Sequence, residues 1–188
     1  DGEPEVIIGN VVLEGASGML KWNGVVTSGG LGGIGNNGFL GPSSTVADID
    51  LDGQQEVIAG NTVYAANGDV LWTFNYVTNN SPCGGGLPCD GFNAVANFDD
   101  DDEAEVVIIR RGEAFILDTD GTELHRILLP KTNCANNEAG PPTIADFDGD
   151  GRIEIGTAGA NYYIVVDPDC DVQPLPAGCS DPGILWKV

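Results

Sequence analysis

Basic residues are scarce in this sequence. Its 188 residues include 7 Lys and Arg against 29 Asp and Glu, which gives a formal net charge of -22. Because nucleic acids and anionic membrane surfaces are bound by clustered Lys and Arg, this charge balance argues against both partners. No apolar run approaches the roughly 18 residues that a membrane-spanning helix needs, so we expect no membrane insertion. No leader precedes Asp1, which is compatible with one that has been removed.

Paired C-x-x-C spacings are also lacking, which argues against a cysteine-ligated zinc site. The five cysteines instead include two local pairs, each within an insertion that interrupts the pattern described below. Cys83 and Cys89 bracket a Gly/Pro-rich loop in one insertion, and Cys170 and Cys179 bracket a loop in the other. We predict one loop-closing disulfide in each, with Cys134 left over; five free thiols are the alternative. Disulfides would indicate an oxidising, extracellular environment.

An acidic segment recurs along the chain with a period near 50 residues. Three complete copies begin at Asp48, Asn97 and Asp146, and the N-terminus supplies the second half of a fourth. The glutamates that close the four copies are separated by 51, 49 and 49 residues; they are Glu5, Glu56, Glu105 and Glu154. Such self-similarity at a fixed period indicates a repeat architecture.

Each repeat predicts four short strands, with the acidic loop between the first and the second. In the second repeat, strands are expected at 44–47, 56–60, 62–66 and 69–74, and the Asn67-Gly68 pair marks a hairpin turn. Four antiparallel strands at this period are typical of propeller blades. We therefore predict one all-β domain, a β-propeller-like array of about four blades that span 1–42, 43–91, 92–140 and 141–188.

The first blade lacks its first strand, so two arrangements are open. The chain is either a section of a longer propeller or a four-bladed ring with an incomplete blade, and we favour the section. Trp22, Trp72 and Trp186 fall at matching points of the last strand, and alignment puts His125 there in the third repeat. A repeated aromatic at one position indicates packing.

Within each acidic loop, carboxylate or amide side chains occupy positions 1, 3, 5 and 9. Alternate residues around a tight turn can converge their oxygens on one point, and position 7 can add a backbone carbonyl. The predicted ligands are Asp48, Asp50, Asp52, Gln54 and Glu56; Asn97, Asp99, Asp101, Glu103 and Glu105; and Asp146, Asp148, Asp150, Arg152 and Glu154. The N-terminal half-loop would contribute Asp1, Glu3 and Glu5.

Only oxygen ligands are offered, which favours calcium over zinc, and we expect three to four Ca²⁺ ions. Gly53 and Gly151 at position 6 permit a positive φ in the turn, whereas Asp102 takes that position in the third repeat. A solvated acidic loop without an ion is the alternative. It would crowd several carboxylates together without compensation.

The loop Asp-x-Asp-x-Asp-Gly-x-x-Glu followed by a strand resembles the FG-GAP/VCBS repeats of integrin-alpha-type β-propellers. The resemblance covers nearly the whole chain outside the insertions, although the Phe-Gly and Gly-Ala-Pro strings of the family are not present in clean form. It implies a secreted or surface-anchored scaffold, rigidified by calcium, that binds proteins or glycans. It does not by itself imply catalysis.

We therefore expect a non-catalytic extracellular scaffold for adhesion, surface binding or assembly of fibres or layers from copies of itself. The alternative is part of a secreted propeller enzyme, such as a polysaccharide lyase, or of a quinone-dependent dehydrogenase. A lyase needs a base and charge-stabilising Lys or Arg beside the sugar carboxylate. Here His125 occupies a packing position, and Arg110-Arg111 is the sole basic pair.

Overall fold

A computed structural model describes residues 2–24, 41–75, 90–110, 112–130, 140–159 and 162–188. Of the residues given a role above, Asp1, Cys83, Cys89, Cys134 and Arg111 lie outside the described residues. The described part is all-β, as predicted, apart from one 3-10 turn at Pro168–Cys170. Among the described residues, no helix has the length and apolar character required to cross a membrane.

The strands form four separate antiparallel sheets, which we number in chain order. Sheet 1 has three strands, β1 (Glu5–Ile8), β2 (Val11–Glu14) and β3 (Leu20–Asn23). Sheets 2 and 3 have four strands each: β4 (Ser44–Ala47), β5 (Glu56–Ala59), β6 (Thr62–Tyr64) and β7 (Val70–Thr73), then β8 (Phe92–Ala96), β9 (Glu105–Arg110), β10 (Glu113–Leu117) and β11 (Glu123–Leu128). Sheet 4 has β12 (Thr143–Ala145), β13 (Glu154–Ala158), β14 (Tyr163–Val166) and β15 (Ile184–Lys187).

Each sheet is a simple meander in which strands adjacent in sequence are hydrogen-bonded neighbours. The central strands are apolar on both sides; β9 and β10 are buried almost throughout. A strand with two apolar faces must be covered on both sides, so these sheets cannot be stable alone. This pattern explains why the sheets pack face to face.

Three apolar clusters join the four sheets in chain order. We call the side of a sheet that faces the preceding sheet its front face, and the opposite side its back face. The clusters contain Val12, Val57, Ala59 and Tyr64 between sheets 1 and 2; Ile49, Ile58, Val63, Val106, Ile108, Phe115 and Leu117 between sheets 2 and 3; and Val107, Ile109, Ile116, Ile155, Ile164, Val166 and Ile184, among others, between sheets 3 and 4. The core is therefore a series of repeated junctions.

The first strands of consecutive sheets also approach each other, β4 against β8 and β8 against β12. Asn93 on β8 links two sheets at this edge, because its side chain accepts from Gly60 N–H (2.9 Å) and donates to Gly60 O (2.7 Å). No apolar cluster of the described residues joins sheet 4 to sheet 1, so the four sheets form an open series in that part of the chain.

At each of the first two junctions, a tryptophan on the last strand of one sheet contacts a turn of the next sheet. The Trp22 ring lies on Gly68 in the turn of sheet 2, and its indole N–H donates to the Ala66 carbonyl (3.0 Å). Trp72 lies on Gly121 in the turn of sheet 3 in the same manner. Its indole N–H donates to the Thr119 carbonyl over 2.7 Å. We call this arrangement the Trp–turn joint.

The strand registers support the predicted alignment of the aromatic positions. Trp22 lies opposite Val12, Trp72 opposite Val63 and Trp186 opposite Val165, each beside a β-bulge. His125 lies opposite Ile116 at the same bulge in sheet 3. In the third junction Ile127 contacts Gly183, which lies directly before β15 at the position of Asp69 in sheet 2, so no ring contacts a turn glycine there.

Candidate metal centres

The three complete acidic loops occupy equivalent places in sheets 2, 3 and 4. Each connects the first strand of its sheet to the second, and the glutamate at position 9 is the first residue of that second strand. The strand therefore holds the glutamate rigidly, while the turn carries the aspartates. Because β5, β9 and β13 are central strands, the glutamates are buried, with exposed fractions of 3% or less for Glu56, Glu105 and Glu154.

Carboxylate oxygens converge in each of these loops. Those of Asp48, Asp50 and Glu56 lie within 4.8 Å of one another. The same holds for Asp99, Asp101 and Glu105, and for Asp146, Asp148, Asp150 and Glu154. Asp52 is the predicted aspartate that does not join its group, and its carboxylate instead accepts from the backbone and side-chain nitrogens of Gln54.

One oxygen of each glutamate fixes the start of its loop. Glu56 accepts from Ile49 N–H (3.0 Å), Glu154 from Phe147 N–H (2.6 Å), and Glu105 from Phe98 N–H. The other oxygen is thereby left to face the aspartates. In each loop the chain folds back so that the side chain at position 9 reaches the N–H of position 2.

The aspartates at positions 3 and 5 accept backbone N–H groups two residues further on. In the last loop Asp148 accepts from Asp150 N–H (3.1 Å), and Asp150 accepts from Arg152 N–H (2.8 Å). The loops of sheets 2 and 3 repeat both bonds. These Asx turns orient the carboxylates through the loop backbone.

Two oxygens at these loops are buried and have no hydrogen-bond partner among the described residues: Asp48 Oδ1 and Glu105 Oε1. A buried, unpartnered donor or acceptor costs about 1 to 3 kcal/mol, and a charged one costs more. A cation held between the carboxylates would satisfy both atoms. Because the donor set contains only oxygens, the residues fit calcium rather than zinc.

The electrostatics of the three loops also favour a bound cation. Burial raises the pKa of Glu56, Glu105 and Glu154, and neighbouring aspartates raise it further, while the backbone N–H bond opposes the shift. The folded chain therefore holds these carboxylates in places where their ionised form is disfavoured. A divalent cation would reverse that balance.

The N-terminal half-loop differs from the complete loops. Glu5 Oε1 is paired with Lys21 Nζ at 2.5 Å, and its side chain is partly exposed. Among the described residues, Glu3 and Glu5 join no group of three clustered carboxylates. The fourth site would need Asp1, which lies outside the described residues.

Several features of the loops were not predicted from the sequence. Leu51 at position 4 has a positive φ of 57°, and it is the sole non-glycine residue with a positive φ in the described part of the chain. Asp102, at position 6 of the third repeat, therefore has a negative φ. The loops of sheets 2 and 3 are also joined directly, because Ala104 N–H donates to Ile49 O (3.0 Å). Thr119 Oγ1 donates to the Ala104 carbonyl nearby (3.2 Å). No sequence signal marks these long-range contacts.

The insertion before β15 contains the second predicted disulfide. Cys170 and Cys179 are bonded, with their Cα atoms 5.7 Å apart. Asp167 lies beside them and is buried; desolvation raises its pKa. Although these three residues are close enough to hold an ion, the disulfide removes both thiolates, so we regard the group as structural.

No protein-family model and no curated protein matches this chain, so the resemblance to FG-GAP/VCBS repeats stays a prediction. Among solved structures, the chain is similar to the V. cholerae biofilm matrix protein Bap1, seen in its crystal structure, with a TM-score of 0.45 and 21% sequence identity. The similarity covers 76% of this chain and 22% of that chain. This chain thus spans about a fifth of the length of that protein.

Proposed function

We propose that the chain is a calcium-stabilised, non-catalytic scaffold of the extracellular space, with one Ca²⁺ in each of its three complete acidic loops. The observation that carries the proposal is the convergence of carboxylates around buried oxygens that lack partners, Asp48 Oδ1 and Glu105 Oε1. Bound calcium supplies the positive charge that these groups lack. Its ligands are Asp48, Asp50 and Glu56; Asp99, Asp101 and Glu105; and Asp146, Asp148, Asp150 and Glu154, completed by Asp52, Asn97 and the carbonyls of Gln54, Glu103 and Arg152.

The loop residues connect this charge balance to the packing of the sheets. Glu56 holds the N–H of Ile49, whose side chain is buried between sheets 2 and 3. Glu105 holds the N–H of Phe98, which packs between sheets 3 and 4. A cation that fixes the loop carboxylates therefore also fixes Ile49 and Phe98, whose side chains pack against the following sheet. The role of the ion is structural, because it fixes the spacing between the sheets.

The extracellular setting follows from the same chemistry. The disulfide favours an oxidising compartment. Modest oxygen-ligand calcium sites are filled outside cells, where calcium modules bind with dissociation constants of about 10⁻⁴ to 10⁻³ M. Contact between β4, β8 and β12 at one edge supports a blade-like arrangement, in which the first strands line a common axis.

Adhesion, surface binding or assembly suits this scaffold better than catalysis does. The one histidine of the chain, His125, lies on β11 at the position that tryptophan holds in the other sheets. Arg126 is engaged by Glu113 (2.7 Å) and Lys187 by Asp181 (2.6 Å). Lys21 and Arg152 also form ion pairs, so these four basic side chains of the described residues are engaged with carboxylates.

The test counts bound calcium by calorimetry and follows thermal unfolding with excess calcium and with a chelator. Three ions per chain, together with a large fall in the unfolding midpoint on chelation, are expected, because ligand bound only to the folded state stabilises it. No calcium uptake and an unchanged midpoint would contradict the proposal. Uptake of magnesium alone would point instead to water-rich sites.

A further inference from the structure

Each glutamate that closes an acidic loop lies opposite a residue at the end of the third strand of its sheet. In sheet 3 the register pairs Val106 with Leu117, so the next residues along the ladder, Glu105 and Asp118, are opposite each other. The same step places Ala65 opposite Glu56 in sheet 2, and Asp167 opposite Glu154 in sheet 4. Residues directly opposite share one face of the sheet, with Cβ atoms about 4.5 to 5.5 Å apart.

The backbone supports the equivalence of these three opposite residues. The N–H of each donates to a carbonyl at the start of the last strand: Ala65 to Asp69 (2.9 Å), Asp118 to Thr122 (2.8 Å) and Asp167 to Gly183 (3.0 Å). In sheets 2 and 3 the whole turn matches, because Gly68 and Gly121 donate back to the carbonyls of Ala65 and Asp118, both at 2.8 Å. One structural position is therefore alanine in sheet 2 and aspartate in sheets 3 and 4.

Carboxylates opposite each other on paired strands repel and need a compensating charge. Sheet 1 contains such a pair, Glu5 opposite Glu14, and there Lys21 Nζ lies 2.5 Å from Glu5 Oε1. Among the ion pairs of the described residues, none includes Asp118 or Asp167. The opposite carboxylates in sheets 3 and 4 are thus without the lysine that sheet 1 supplies.

Asp167 also has a buried oxygen without a donor. The residue is 7% exposed, and its Oδ1 accepts from Asp169 N–H (2.8 Å). Its Oδ2 lies 3.1 Å from Cys170 Sγ, but that sulfur is part of the disulfide and carries no proton to donate. Glu105 Oε1, opposite Asp118, is likewise buried and unpartnered among the described residues. Both positions therefore hold a buried carboxylate oxygen that a cation would compensate.

The two aspartates act electrostatically on the loop glutamates. Burial is the main cause of the raised pKa of Glu154, and the charge of Asp167 then raises it more than that of the loop residue Asp146 does. Burial also dominates the raised pKa of Glu105, to which Asp118 adds after the loop aspartates. In addition, Asp118 lines a cavity of about 450 Å³ between sheets 2 and 3, together with Asp101 of the loop.

We propose that Asp118 and Asp167 belong to the calcium sites of sheets 3 and 4, where each adds a negative charge opposite the closing glutamate and increases the affinity for the ion. This role rests on the proposed function, since the ion is what the added charges attract. Neither carboxylate joins the loop oxygens that lie within 4.8 Å of one another, so each acts from outside that group. Groups that support a metal site from outside its ligands typically change the affinity about 10- to 100-fold.

The number of charges gives each site a different expected affinity. Positions 1, 3, 5 and 9 carry four carboxylates in sheets 2 and 4 but three in sheet 3, where Asn97 takes position 1. Asp118 restores the fourth negative charge in sheet 3, and Asp167 gives sheet 4 a fifth. Because calcium affinity depends on the charge of the ligands, the site of sheet 4 should bind most tightly, and those of sheets 2 and 3 should be similar.

Nuclear magnetic resonance can measure the three sites separately. The backbone amides at position 6 of the loops, those of Gly53, Asp102 and Gly151, report sheets 2, 3 and 4 respectively. Calcium is removed stepwise with a chelator from the loaded chain, so that the order in which the sites empty is recorded from the folded state. The Gly151 signal should be the last to change, at about tenfold lower free calcium than the other two.

Substitutions then test the opposite residues. Asp118→Asn and Asp167→Asn should each weaken the site of their own sheet about 10- to 100-fold and leave the other two unchanged. Asp120→Asn is the matched control for Asp118→Asn, because Asp120 lies in the same turn, is exposed and carries the same charge. Ala65→Asp should strengthen the site of sheet 2 by a similar factor, since the two turns share their backbone bonds. Ala66→Asp adds the same charge at the exposed neighbouring position and should not strengthen it.

The gain expected for Ala65→Asp is the deciding result, because a misfolded variant cannot bind calcium more tightly. Affinities that stay within about twofold of wild type in both Ala65→Asp and Asp118→Asn would overturn the proposal. Equal losses in Asp118→Asn and Asp120→Asn would also overturn it, since any charge near the turn would then suffice. If no loop signal of the wild-type chain responded to calcium, the proposed function itself would be wrong, and that failure is distinct from the other two.

Discussion

Replacement of Glu105 by glutamine should change the stability of the chain with opposite sign in the presence and absence of calcium. The side chain is fully buried, one oxygen accepts from Phe98 N–H, and the other has no partner among the described residues. Glutamine has nearly the same shape and can retain the bond to Phe98 through its amide oxygen. It removes the negative charge and offers a donor toward Asp99 and Asp101.

The expected sizes follow from this geometry. With a chelator, removal of an uncompensated buried charge should stabilise the fold by about 1 kcal/mol. That gain corresponds to a rise of about 2 to 4 °C in the unfolding midpoint for a chain of this size. With calcium at 100 times its dissociation constant, the variant loses about 2.7 kcal/mol of binding free energy and keeps the gain of about 1 kcal/mol, so its net cost relative to wild type should be about 1.7 kcal/mol, or roughly 3 to 7 °C.

Differential scanning calorimetry of Glu105→Gln in both buffers provides the assay, with Asp100→Asn as the matched control. Asp100 is exposed in the same loop, lies outside the carboxylate group, and carries the same charge. An equal fall of the unfolding midpoint in both buffers would refute the reasoning, because Glu105 would then contribute through packing alone. If Asp100→Asn showed the same change of sign between the two buffers, the effect would come from the net charge of the chain rather than from the loss of a metal ligand.

Three further perturbations have defined outcomes. Without calcium, the raised pKa values of the three loop glutamates mean that the folded state binds protons more tightly than the unfolded chain does. Thermal melts should therefore show stability rising as the pH falls from 7 toward 4.5, the ordinary pKa of glutamate. With calcium the slope should reverse, and equal slopes in both buffers would contradict the assignment. Replacement of both Cys170 and Cys179 by alanine should cost about 3 kcal/mol in urea unfolding, and no loss would show that the loop is already ordered without the bond. Gly121→Ala should destabilise the fold by about 1 to 3 kcal/mol more than Gly18→Ala. Both glycines have a positive φ, but only a Cβ at position 121 would meet the Trp72 ring. Equal losses of stability would mean that the ring moves aside without cost.

Much of the fold could be predicted because the chain repeats itself. The strands predicted for the second repeat lie within one or two residues of β4 to β7, since the acidic loop and the Asn-Gly turn mark both ends of the hairpins. The equivalence of His125 with the tryptophans also holds in the strand register. Local signals sufficed here because each sheet is a meander of sequence neighbours.

Features that depend on the relation between sheets could not be predicted in this way. The bond from Trp72 to Thr119 and the bond from Ala104 to Ile49 both cross a junction. The alternation of apolar and polar residues along a strand predicts which side of the sheet a residue faces. It does not predict which residue of the neighbouring sheet that side chain contacts. The pairing of Glu5 with Lys21 lies within sheet 1, and it was not predicted because the repeat pattern alone assigned Glu5 to a metal site.

The residue at position 2 of each acidic loop connects the loop to the packing of the sheets. Ile49, Phe98 and Phe147 each give their N–H to the closing glutamate and place their side chain at the back face of the sheet. A loop whose carboxylates repel each other would withdraw that side chain from the junction. A loop closed around a cation keeps it there, so the free energy of ion binding is expressed as packing between sheets rather than within them. This coupling requires the loop to sit between the first and second strands, because only there does the residue at position 2 lie beside a central strand and reach the neighbouring sheet.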